Sequence, residues 1–398
     1  MTSVSLAPTR PLENSRTRPA PGRLTEFFLV GGLTPLLFPL AWLLRRSLGL
    51  DSSELAVGFT MFYAAHAVND PHFAVTYVLF YADARQKLRG GGLHAWQRAR
   101  YLAAGVAIPL GLVAWAVAAI AKGSAVSLAL MIQLMFFLVG WHYVKQGFGV
   151  MIVLAARRGV RFNRGERLAI LAHCLAGWAY AWASPADAGT EVEEKGVVYT
   201  TIAHSIGLER VTHVVALASA LPLIYVLARK WRREGRLPLF TPLVALLCSV
   251  WSWSIYSSID PLVAYTIPAL HSVQYLYIVW LMKKNQARER EGPPWFERSA
   301  PVRLGMLALS ALVLGWIFFH AAPTVLDDWF RPRRGAPIPL GPTPYFAALF
   351  SIVNIHHYFM DAVIWRKDNP LARYLREPPS IDPEGLKGSS QSAPRDGN

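Results

Sequence analysis

AVSLALMIQLMFFLVGWHYVKQGFGVMIVLAA, residues 125–156, is apolar from end to end, and Lys145 is its single charged residue. A helix rises about 1.5 Å per residue and the hydrocarbon core of a bilayer is about 30 Å thick, so this run is long enough to cross it. Comparable runs lie at about 26–45, 55–82, 101–121, 168–186, 212–228, 238–258, 262–282, 303–322 and 343–365. Together they predict an all-α, polytopic membrane helical bundle of about ten transmembrane helices.

Composition agrees. The 398 residues are 53% hydrophobic and only 16% charged, against about 25% charged in soluble domains. The two cysteines, Cys174 and Cys248, each fall inside an apolar run, which excludes a disulfide framework or a thiolate metal site. The net charge of +15 does not point to nucleic acid, because the basic residues crowd into particular short loops. Arg85, Lys87, Arg89, Arg98 and Arg100 follow the second run; Arg157, Arg158, Arg161, Arg164 and Arg167 follow the fourth. Arg229, Lys230, Arg232, Arg233 and Arg236 follow the sixth, and Lys283, Lys284, Arg288 and Arg290 the eighth. The alternate loops carry Lys122, Asp260, or the acidic group Asp187, Glu191, Glu193 and Glu194. By the positive-inside rule both termini are expected in the cytoplasm, with Arg45–Arg46 and the cluster Arg331, Arg333 and Arg334 dissenting.

The expected organisation is a disordered cytoplasmic tail over 1–24, a helical membrane domain over 25–367, and a largely disordered cytoplasmic tail over 368–398. No signal peptide is visible, and a multi-pass protein of the bacterial inner membrane is expected.

Four runs, all predicted to travel from outside to inside, carry polar motifs: HAVNDPH (His66 to His72), WHYVKQ (Trp141 to Gln146), HSVQY (His271 to Tyr275) and NIHHYFMD (Asn354 to Asp361). His72, His142, His271 and His356 fall at a similar depth, about 14–21 Å from the cytoplasmic boundary. Imidazoles in hydrocarbon are costly, so several at one depth call for a shared partner, and a metal ion serves. The predicted ligands are His72, His142, His271, His356 and His66. Asn69, Asp70, Gln146 and Gln274 lie three or four positions from a histidine and would orient the rings. Asp361, Tyr275 and His357 are the candidate catalytic groups. Pro71 should open the second helix near its middle. Imidazoles with few carboxylates suit iron (Fe2+), copper or zinc, and open coordination positions suit non-haem Fe2+.

Other polar residues have plainer readings. His173, His204, His213 and His320 read as structural or interfacial, and His94 as solvated. His66 can pair with Asp70 one turn on. Lys145 can snorkel, pair with an acid such as Asp70, or meet an anionic group.

The four motifs resemble those of the Brp/Blh family of membrane β-carotene 15,15′-dioxygenases. The matching stretches are Pro71-His72, His142-Tyr143, His271-Ser272 through Val279-Trp280, and His356 with Asp361. They cover about sixty residues in four patches. The resemblance implies a non-haem iron held by His72, His142 and His271, with His356 in or beside the ligand set, and cleavage of a polyene with O2. The likeness breaks where the family has a second histidine four residues after the His-Ser pair, here Tyr275. It breaks again where the family has an aspartate four after the Pro-His pair, here Thr76. His66 and His357 have no counterpart.

The expected function is therefore an integral membrane oxygenase or oxidoreductase acting with O2 on a lipid-soluble polyene, isoprenoid or acyl chain, with an electron donor where one is needed. Two other classes remain open: a haem-binding electron-transfer protein with axial histidines, and a metal or proton transporter using the same side chains.

Overall fold

The computed structural model describes residues 22–82, 84–89, 93–235, 240–256, 261–288, 299–330 and 340–375. Within them the regular elements are helices, α with shorter π and 3₁₀ stretches, apart from one hairpin. Most of both expected tails, together with Arg236, Asp260, Arg290 and the Arg331–Arg334 cluster, lies outside the described residues. The described edges trim those tails: helix already starts at Arg23, and a 3₁₀ turn over Pro370–Leu375 buries Tyr374 and Leu375.

Six of the predicted runs form helices long and apolar enough to cross a membrane, as the composition of a helical membrane protein requires. These are α6 (Ala95–Ala121), α7 (Ala125–Arg157), α9 (Ile206–Glu234), α11 (Leu262–Ala287), α12 (Ala300–Trp329) and α13 (Pro344–Ile364). The first run is bent by 63° between α1 (Arg23–Gly32) and α2 (Thr34–Leu48), and counts as a seventh if the pair is one span. Gly31 takes φ 131° at that bend, a conformation open to glycine but strained for other residues.

The remaining three runs do not meet that test of length and hydropathy. Residues 55–82 divide into α3 (Leu50–Ala67) and α4 (Asn69–Tyr81), with Val68 off helical geometry at φ −126° and ψ −56°. Ala84–Arg89 (α5) is a short basic helix after them. Residues 168–186 form α8 (Arg164–Ala183), opened by a capping box between Asn163 and Glu166. Residues 238–258 give only the short α10 (Phe240–Ile255), whose last half is π-helical.

The acidic loop after α8 folds into an antiparallel hairpin, β1 (Glu191–Glu194) with β2 (Val197–Thr200). Its two-residue turn has Lys195 at φ 52° and Gly196 at φ 80°, the all-positive pattern that matches strand twist. Thr343 Oγ1 donates to the Lys195 carbonyl at 2.7 Å, tying the hairpin to the start of α13.

Burial ranks the spans. The apolar window of α13 is 78% buried and that of α11 56%, against 17–22% for α6, α9 and α12. The polar motifs therefore ride on the innermost helices, and α4 is buried continuously from Asp70 to Thr76. Gly147 lets α7 press on α10, since a Cβ there would lie 2.4 Å from Ser249 Cβ.

Candidate metal centre

Each inner helix brings one histidine to a common point. Pro71 lacks an N–H and cannot occupy a helix interior without loss, so α4 restarts at Asn69 and places Pro71 in its first turn. That break lies three residues upstream of where the sequence suggested, and it leaves His72 pointing inward, 1% exposed. His142 of α7, His271 of α11 and His357 of α13 are equally enclosed. Ring centroids of His72 lie 4.9 Å from His271 and 4.6 Å from His357; those of His142 lie 4.9 Å from both.

The decisive contacts are between ring nitrogens. His142 Nε2 lies 3.1 Å from His271 Nε2 and 3.3 Å from His357 Nε2. An aromatic ring nitrogen has a single in-plane position, filled by a proton or a lone pair. It cannot make directed hydrogen bonds to two other nitrogens. A shared cation can satisfy all three: with metal–nitrogen bonds of about 2.0–2.1 Å, donors around one ion sit about 2.9–3.4 Å apart. Asp361 Oδ2 completes the set, 3.4 Å from His357 Nε2 and 3.8 Å from His142 Nε2. Both His72 Nε2 and Asp361 Oδ2 are buried without a hydrogen-bond partner. Two sets thus meet the spacing of a metal site, His72 with His142 and His271, and His142 with His357 and Asp361.

Neighbours fix the donors. His72 Nδ1 lies 3.1 Å from Ser272 Oγ, whose hydroxyl donates to Asn69 Oδ1 at 3.0 Å. Because that hydroxyl proton is already used, His72 carries its own proton on Nδ1 and keeps Nε2 bare. Asp361 Oδ1 accepts from Tyr275 Oη at 2.7 Å and from Thr76 Oγ1 at 3.4 Å, and Thr76 and Tyr275 touch at 2.5 Å. The two positions that depart from the Brp/Blh pattern are thus bonded to each other and to one oxygen of this carboxylate. The Tyr143 ring packs on His271 at 4.3 Å.

Several expected residues fall elsewhere. His356 is not in the ring cluster; its Nδ1 meets Tyr77 Oη at 3.1 Å, and His357 takes the inward place. Consecutive helical residues point about 100° apart, so only one of the pair can face the centre, and it is the one four positions before Asp361. His66 is also elsewhere, stacked on His320 at 4.0 Å, and Asp70, expected to pair with His66, bonds His320 Nε2 at 2.8 Å. Gln146 donates to the His271 carbonyl at 3.1 Å and to Gln274 Oε1 at 2.9 Å, while Gln274 donates to the Val30 carbonyl at 2.7 Å. These amides lock backbone and helix packing rather than a ring. Sequence reasoning gave no role to Ser272, Thr76 or Tyr77, and it read His320 as structural or interfacial. His173 is structural as expected, between Ser219 Oγ at 2.9 Å and Trp251 Nε1 at 3.2 Å.

A cavity of about 630 Å³ reaches the cluster; its lining includes His142, Tyr275, Tyr358 and Asp361 as well as Arg366, Lys367 and Asp368. Lys145 and Gly149 line its course. A larger cavity of about 800 Å³, beside the hairpin, meets the site only through Tyr143 and Trp253, the rings that shield His271. Of the two, the first is the one whose lining includes candidate donors, His142 and Asp361.

No protein-family model matches the chain, and neither a curated protein nor a solved structure matches it.

Proposed function

We propose that this protein is an integral membrane non-haem iron oxygenase, with His72, His142, His271, His357 and Asp361 holding the metal and a lipid-soluble substrate entering by the 630 Å³ cavity. The observation that carries the reading is the meeting of three Nε2 atoms at 3.1 and 3.3 Å beside an unpartnered carboxylate oxygen. Imidazole with carboxylate suits Fe2+, Cu2+ or Zn2+, and the choice of iron rests on the resemblance to the Brp/Blh family. Bound there, the metal would supply O2 chemistry that water would disturb. The chain's own part is to bind, orient and exclude. Ser272 and Asn69 hold His72 in its ligating tautomer. Tyr275 and Thr76 occupy one oxygen of Asp361 and turn the other toward the rings. Tyr275 lines the cavity, and its hydroxyl holds a proton on Asp361 Oδ1 beside the candidate ligands.

Spacing disfavours the haem alternative. Two axial histidines on one iron hold their nitrogens about 4 Å apart across a broad macrocycle, whereas here the nitrogens meet at 3.1–3.3 Å. We further propose ten membrane crossings with both termini in the cytoplasm of a bacterial inner membrane, the bent and broken helices included. The test is turnover: reconstituted protein supplied with O2 and β-carotene, an isoprenoid or an acyl lipid. Oxygen uptake with loss of one of these, absent in His142→Ala, is the expected result. Metal transport by proteoliposomes without lipid turnover would favour a transporter instead.

A further inference from the structure

The residues displaced from the main cluster form an arrangement of their own. His66 ends α3, Asp70 lies in the first turn of α4, and His320 lies in a π-helical turn of α12, Ile317–Ala321. One donor atom from each lies within 4.8 Å of the others. We propose that His66, Asp70 and His320 bind a second divalent transition-metal ion, distinct from the first.

Asp70 is 4% exposed in an apolar stretch, where a lone carboxylate is costly and calls for a cation. One of its oxygens, Oδ2, already faces His320 Nε2 at 2.8 Å. His66 Nδ1 lies 3.3 Å from the Phe62 carbonyl, an acceptor only. That contact puts the proton on Nδ1 and leaves Nε2 bare, the arrangement commonly found in ligating histidines. The backbone is built for the approach. Gly315 has no side chain where a Cβ would lie 2.7 Å from the Asp70 carbonyl carbon, so α12 seats directly on α4. The π turn that begins two residues on carries His320 against the His66 ring, a local widening often found at functional sites. Two imidazoles and one carboxylate, with other positions open, suit Fe2+ or Zn2+.

The two centres are separate. They share no residue, and the Phe73 ring packs against the first, 4.7 Å from both His72 and His357, and against Phe319, the neighbour of His320 in sequence, at 5.2 Å. His320 keeps 24% of its side chain exposed, so this ion is reachable from the edge of the bundle.

Full-length protein in detergent, stripped with chelator and titrated with Zn2+, tests the assignment. Wild type should take two equivalents per chain. His66→Phe, which keeps the ring stacked on His320, and Asp70→Asn should each take one. His142→Ala should also lose one, and the pair His66→Phe with His142→Ala should take none. A melting curve on each variant checks that it is folded. Retention of the wild-type stoichiometry by both His66→Phe and Asp70→Asn overturns the second site. Retention by His142→Ala alone counts against the first site and leaves the second standing.

Discussion

Replacing Ser272 with alanine removes one oxygen and leaves every candidate ligand in place. Ser272 is fully buried and stands between His72 Nδ1 at 3.1 Å and Asn69 Oδ1 at 3.0 Å. Two buried hydrogen bonds disappear, at about 1 kcal/mol each, and His72 is free to turn or to move its proton to Nε2. Loss of a group that orients a metal-bound histidine typically costs 10–100-fold in affinity, which is about 1.4–2.7 kcal/mol. Competition of purified protein against a chelator for Fe2+ should therefore show Ser272→Ala weakened by one to two orders of magnitude, in a protein that still folds although its stability falls by about 2 kcal/mol. Asn69→Ala should weaken binding less, since Ser272 still accepts from His72. A folded Ser272→Ala protein that binds within threefold of wild type would refute the tautomer argument.

Further outcomes follow from the same geometry. His357→Ala should lose metal from the cluster, whereas His356→Ala should keep it and lose about 1 kcal/mol of stability with the Tyr77 bond, as metal analysis and thermal melts will show. Gly149 lines the cavity and a Cβ there meets nothing within 4 Å, so Gly149→Leu should retain metal but block lipid turnover in a substrate-depletion assay. Gly315→Ala puts a methyl 2.7 Å from the Asp70 backbone; overpacking of this kind costs about 1–3 kcal/mol, read as a lowered melting temperature.

The helical class was legible because hydropathy is a property of each run by itself. The four motif helices and three of the central histidines were legible too, because depth along a helix can be counted in residues. Rotation about the helix axis cannot be counted that way, so His356 and His357 were exchangeable on paper. The clue lay in spacing: His357 and Asp361 are four apart and share a face, while His356 and Asp361 do not. The break inside residues 55–82 was legible from Pro71, and only its place at Val68, three residues upstream, was not. His320 looked isolated because its partners, His66 and Asp70, lie some 250 residues away in sequence. Thr76 and Tyr275 looked like two separate departures from a known pattern, and only their 2.5 Å contact joins them.

The central claim is that imidazoles from α4, α7, α11 and α13 share one ion with Asp361. Elemental analysis of detergent-purified protein tests it most directly, comparing wild type with His142→Ala and His271→Ala. The account predicts iron in the wild type and the loss of one equivalent per chain in each variant. Metal content that is absent in all three proteins, or the same in all three, would contradict it.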